Sequence, residues 1–149
     1  MHIFTDSSVN NTSGKAIGSS LILNSLTDNF SLNDIQSIEL NSTSSTMAEL
    51  LTIKHVLSLV DSKHNILYTD CENFVNLINK RQYDDKIKNH RNYNLYIELI
   101  NLIDKYKTTV IWVQGHSKQV DKIETYEKIF TFVDRHARKK LRELVLSTK

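Results

Sequence analysis

Apolar and polar positions divide the chain into five short stretches of strand type and four longer ones with apolar residues at helical spacing. Residues 2–9 open on the apolar run Ile3-Phe4 and read as a first strand. A polar turn, Asn10-Asn11-Thr12-Ser13-Gly14, leads to a second over residues 15–24. A third falls within 29–40, where Phe30, Leu32, Ile35, Ile38 and Leu40 are apolar, and the three strands form an antiparallel meander. Residues 41–46 are polar and rich in helix N-cap types, and a helix follows to about Val60. Residues 65–69 make a fourth strand, and Phe74, Val75, Leu77 and Ile78 mark a short helix. A polar, basic connector over 79–92 precedes another helix carrying Leu95, Tyr96, Leu99, Leu102, Ile103 and Tyr106. The β-branched run Thr108-Thr109-Val110-Ile111-Trp112-Val113 is the fifth strand, with Trp112 expected in the core. Gln114-Gly115-His116-Ser117 ends it, and a charged loop continues to about Glu127. The last helix, over 130–146, has Phe130, Val133, Ala137, Leu141 and Leu144 on its apolar face. This order implies an α/β domain with a mixed sheet and right-handed crossovers. No repeat or linker divides it.

Four carboxylates break this pattern. The first and fourth strands both deliver Thr-Asp, as Ile3-Phe4-Thr5-Asp6 and Ile66-Leu67-Tyr68-Thr69-Asp70. Glu49 shares a helical stripe with Ile53, Val56 and Val60, and Asp134 lies beside Ala137 and Leu141. A buried carboxylate is costly unless something compensates it. Taken singly, each could be a cap, a turn residue or an ion-pair partner. Taken together, they point to one shared site. Clustered carboxylates raise one another's pKa unless a cation neutralises them. An all-oxygen ligand set suits Mg²⁺ or Mn²⁺ rather than zinc. Two such ions about 4 Å apart can activate water and stabilise a leaving oxygen in phosphodiester cleavage.

Composition narrows the class. At 149 residues, 40% hydrophobic and 24% charged, the chain suits one globular domain. No run approaches a membrane span, and Asp6 interrupts any signal-peptide layout, so an intracellular protein is expected. That includes the cytoplasm, the nucleus, or a host cell in which a viral protein acts. The single cysteine, Cys71, excludes an intramolecular disulfide and is read as structural rather than as a nucleophile. Net charge is only +2, but cations cluster at Lys80, Arg81, Lys86, Lys88 and Arg91, and again at Arg135, Arg138, Lys139, Lys140 and Arg142. Such patches are either solvated helix faces or phosphate contacts.

The sequence resembles ribonuclease H type 1 over essentially its whole length. The motifs that carry the resemblance are Thr5-Asp6-x-Ser8, Ala48-Glu49-Leu50, Thr69-Asp70, Val113-x-Gly115-His116 and Val133-Asp134-x-x-Ala137-Arg138. The resemblance implies a ribonuclease H-like fold, a five-stranded mixed sheet in the order 3-2-1-4-5 flanked by helices. It implies a single domain over residues 1–149, with no separate hybrid-binding domain, acting as a monomer. Asp6, Glu49, Asp70 and Asp134 would hold two Mg²⁺ ions, with Mn²⁺ as a substitute, and His116 would assist proton transfer or product departure. The implied substrate is the RNA strand of an RNA/DNA hybrid, cut to leave a 5′-phosphate and a 3′-hydroxyl. Ser8, Ser45, Lys86, Lys88 and Arg138 would contact that hybrid.

The sequence departs from the family pattern at several places. Ser7 stands where glycine is usual, Ser45-Thr46-Met47 where Asn-Asn/Gln-Arg is frequent, and Cys71-Glu72 where Ser-Gln is usual. Phe130 stands where Asn is expected, and the interval from His116 to Asp134 is long. Two other readings share the fold expectation. One is a Holliday-junction resolvase, transposase-type nuclease or proofreading exonuclease, although the last expects an acid where Ser8 stands. The other is a non-catalytic hybrid-binding or protein-interaction module, against which retention of all four carboxylates argues.

Overall fold

The computed structural model describes residues 1–80, 92–114 and 124–147. Strands β1 (His2–Asn10), β2 (Lys15–Leu23) and β3 (Gln36–Asn41) form the antiparallel meander. Helix α1 (Ser45–Leu59) crosses to β4 (Ile66–Thr69), and α2 (Glu72–Lys80) and α3 (Tyr93–Lys105) precede β5 (Thr109–Trp112). The long helix α4 spans Thr125–Ser147. The sheet order is β3-β2-β1-β4-β5, with β4 parallel to both β1 and β5. This is the fold expected from the sequence.

Alternation along the central strands gives the sheet two apolar faces. Ile3, Leu67 and Val110 pack with Leu50, Ile53 and Val56 of α1, Phe74 of α2 and Leu99 and Ile103 of α3. Their neighbours Phe4 and Tyr68 turn to the other face, where α4 supplies Ile129, Phe130 and Val133. The Phe4 and Tyr68 rings stack at 4.4 Å, and Tyr126 of α4 stacks on Tyr68 at 5.2 Å. Ser44 is the N-cap chosen from the polar run: its hydroxyl accepts the Met47 N–H at 3.1 Å.

Two expected boundaries and one expected burial differ. The segment before β3 is not extended: a 3₁₀ turn at Leu32–Asp34 leaves Leu32 exposed while Ile35 is buried. Helix α4 begins at Thr125, ahead of the expected 130, because its first turn is mostly polar and carries no periodic signal. Trp112 is 43% exposed rather than core, since β5 is an edge strand with a neighbour on one side only.

Gly18 on β2 sets the distance between α1 and the sheet. A Cβ there would overlap Thr52 Oγ1 and approach its Cγ2 to 2.9 Å. Thr52 has little freedom to yield, because it is β-branched and its hydroxyl donates to the Ala48 carbonyl at 2.7 Å. Gly18→Ala is therefore expected to destabilise the fold by about 1–3 kcal/mol. Thermal unfolding checks this, and adding Thr52→Ala should recover most of the loss. An unchanged melting temperature would mean that helix and strand pack less tightly than described.

Candidate active site

The same alternation builds the site. In the parallel pair, Phe4 lies opposite Tyr68. One residue further along each strand, Thr5 and Thr69 face α1, and the next residues are Asp6 and Asp70. Glu49 enters from α1 and meets both threonines. Thr5 Oγ1 donates to Glu49 Oε1 at 2.8 Å, and Thr69 Oγ1 donates to the same oxygen at 3.0 Å. All three are buried. Asp134 enters from α4 on the opposite face and comes close enough to Asp6 to raise its pKa. It is part-exposed at the rim, where Arg138 Nε donates to its Oδ1 at 3.2 Å.

Asp6, Glu49 and Asp70 each offer a carboxylate oxygen within 4.8 Å of the other two. Asp6 Oδ2 and Glu49 Oε2 are buried with no hydrogen-bond partner. Leaving such atoms unsatisfied is expensive. Burial, then the charges of Glu49 and Asp70, then the bond and charge of Asp134, hold Asp6 well above the usual carboxylate range. Burial first and Asp70 second push Glu49 up to about 7, against the pull of the Thr5 and Thr69 hydroxyls. Crowded oxygen donors with unused lone pairs fit a hard divalent cation, which would satisfy the orphaned atoms and offset the repulsion.

These groups line an open cleft of about 680 Å³. Ser8, Ser45 and Arg138 line it too. Glu72 adds a further acid, so the described wall carries more negative than positive charge. A phosphate backbone would be repelled from such a wall without cations. Arg135, Arg138, Lys139, Lys140 and Arg142 are exposed on α4, and Lys140 sits 3.7 Å from Glu143. His116, Lys86 and Lys88 lie outside the described residues.

Sequence reasoning did not single out the Thr5 and Thr69 hydroxyls, although the repeated Thr-Asp pair was their signal. It also passed over Asn11, Thr43, Thr46 and Asn73, which line the cleft. Cys71 packs beside the core, and burial pushes its thiol up to about 11. It therefore stays protonated near neutrality, as expected of a structural cysteine.

Fold and site together define an α/β domain with a carboxylate cleft just beyond the paired residues of two central parallel strands. The RNase H family profile matches residues 1–141, and the chain belongs to the RNase H family. Among solved structures it is similar to the N-terminal RNase H domain of rv2228c from Mycobacterium tuberculosis, solved as a fusion with maltose-binding protein. The TM-score is 0.67 at 12% identity, covering 99% of each chain. At that identity the likeness concerns the fold. Among curated proteins, none matches the chain by sequence. Among the described residues, no helix is long and apolar enough to cross a membrane.

Proposed function

We propose that the protein is a type 1 ribonuclease H, an endonuclease that hydrolyses the RNA strand of RNA/DNA hybrids to leave a 5′-phosphate and a 3′-hydroxyl. The observation that carries this reading is the Asp6–Glu49–Asp70 group, whose residues line an open cleft and hold two buried oxygens without a hydrogen-bond partner. Asp6, Glu49, Asp70 and Asp134 would hold two divalent ions, Mg²⁺ with Mn²⁺ as a substitute. Such ions, when bound, supply water activation and charge stabilisation at the scissile phosphate.

The chain's own residues have distinct parts in this reading. Thr5 and Thr69 fix one Glu49 oxygen and so aim the other into the cleft. Arg138 restrains Asp134 and carries positive charge to the cleft wall. Ser8 and Ser45 offer hydroxyls to the ribose and phosphate groups of the hybrid, and contacts to 2′-hydroxyls distinguish RNA from DNA. Lys86 and Lys88 add phosphate contacts. His116 assists proton transfer or product departure, a role open to imidazole as a side-chain type that exchanges protons near neutrality. The RNase H domain acts as a monomer inside a cell.

The test uses four end-labelled duplexes of one sequence with Mg²⁺ and, separately, Mn²⁺. They are RNA/DNA, RNA/RNA, DNA/DNA, and DNA carrying one ribonucleotide. Cleavage confined to the RNA strand of the hybrid is the expected result. Cleavage of DNA would move the protein to the resolvase or transposase side of the fold. No cleavage by folded protein would favour a hybrid-binding module.

A further inference from the structure

Helix α4 lies over β1 and β2 with Val133 and Ala137 fully buried against the sheet. Each residue advances the helix by about 100°, so Asp134 and His136 stand about 200° apart, on opposite flanks of that buried stripe. On one side Asp134 lines the cleft together with Asp6 of β1. On the other, His136 Nδ1 lies 3.0 Å from Ser19 Oγ of β2. Ser19 is fully buried and is the antiparallel partner of Asp6 in the β1–β2 register. The two side chains therefore flank one cross-strand pair from the two sides of one helix turn.

We infer that His136 is a positioning residue for the cleft: its bond to Ser19 sets the rotation of α4 that presents Asp134 to Asp6. The inference rests on the reading of the cleft as a divalent-ion site. Val133 and Ala137 hold the helix on the sheet through apolar contacts, which are not directional in themselves. The His136–Ser19 hydrogen bond adds a directional restraint on its rotation and involves none of the four carboxylates. It joins residues 117 apart in sequence, so it ties the helix to the meander rather than to its own neighbours.

The test compares wild type, His136→Ala, Ser19→Ala, the double variant and His136→Gln. Mn²⁺ binding is measured by calorimetry without nucleic acid, beside thermal unfolding of the metal-free proteins. Each alanine variant is expected to weaken Mn²⁺ binding by roughly tenfold, the scale found for groups that orient metal ligands. Each should lower the melting temperature by only about 2–4 °C, as for one lost hydrogen bond in a domain of this size. The double variant should bind no more weakly than either single one, because one bond serves both residues. His136→Gln, whose amide can also bond Ser19, should recover most of the affinity. Unchanged Mn²⁺ affinity in the alanine variants, or no recovery in the Gln variant, would overturn the positioning role. A wild-type protein that binds no Mn²⁺ would overturn the cation reading as well, so the two failures are distinguishable.

Discussion

Asp70→Asn is expected to reduce hybrid cleavage by on the order of a thousandfold or more, about 4 kcal/mol of barrier, while the protein stays folded. Asp70 gives one of the three clustered oxygens, and the amide keeps its shape while removing its charge. Asp6→Asn should behave alike, because Asp6 lies within the same cluster and lines the cleft with Asp134. The informative part is the sign of the stability change. Asp70 raises the pKa of both Asp6 and Glu49, so it works against the metal-free fold. The Asp70→Asn variant should therefore melt at a higher temperature than wild type without metal, although it is inactive. Hybrid cleavage under saturating Mg²⁺ and a melting curve in chelator check the two halves. Near-normal turnover would remove Asp70 from the cation site.

The second large effect is on stability against pH, read from Glu49. Its folded pKa is raised from the ordinary 4.5 to about 7, so folding favours the protonated acid. The contribution is complete below about 4.5 and is lost as pH rises through about 7. Asp6, also raised, acts in the same direction. From Glu49 alone the metal-free protein should lose on the order of 3 kcal/mol between pH 4.5 and pH 8. Glu49→Gln should flatten that part of the slope. Millimolar Mg²⁺ should restore wild type at pH 8 and do much less for the Gln variant. Denaturant melts of both proteins at pH 5 and pH 8 decide it. Equal slopes would mean that Glu49 is ionised in the folded protein without help.

The parts of the site that could be read from sequence were those that broke a pattern. Glu49 and Asp134 stood out because each interrupts an apolar stripe, and Asp6 and Asp70 because an apolar run leads into the same Thr-Asp pair twice. The strand order followed from the family resemblance, and the structure has that order. What stayed hidden depends on distant neighbours. Thr5 and Thr69 look like ordinary strand residues until β1 and β4 lie side by side and Glu49 arrives between them. Trp112 has the hydropathy of a core residue, but edge position is a property of topology. The first turn of α4 is anchored by Tyr126 stacking on Tyr68, a contact that no local periodicity encodes.

The position of β1 has a consequence for how the molecule assembles. β1 precedes all its partners in the chain, yet it sits in the middle of the sheet between β2 and β4, with α1 on one face and α4 on the other. Only the β1–β2 hairpin is local. Every other layer over the Asp6 strand closes a long loop, and contacts of that kind form slowly because chain entropy is lost before they repay it. During synthesis the strand can pair with β2 and then β4, but one of its faces must wait uncovered until α4 emerges. The carboxylate cluster is then completed in the last stage of folding. Chains cut short before α4 would keep the acids of β1, α1 and β4 but leave an uncovered apolar sheet face, a species prone to self-association.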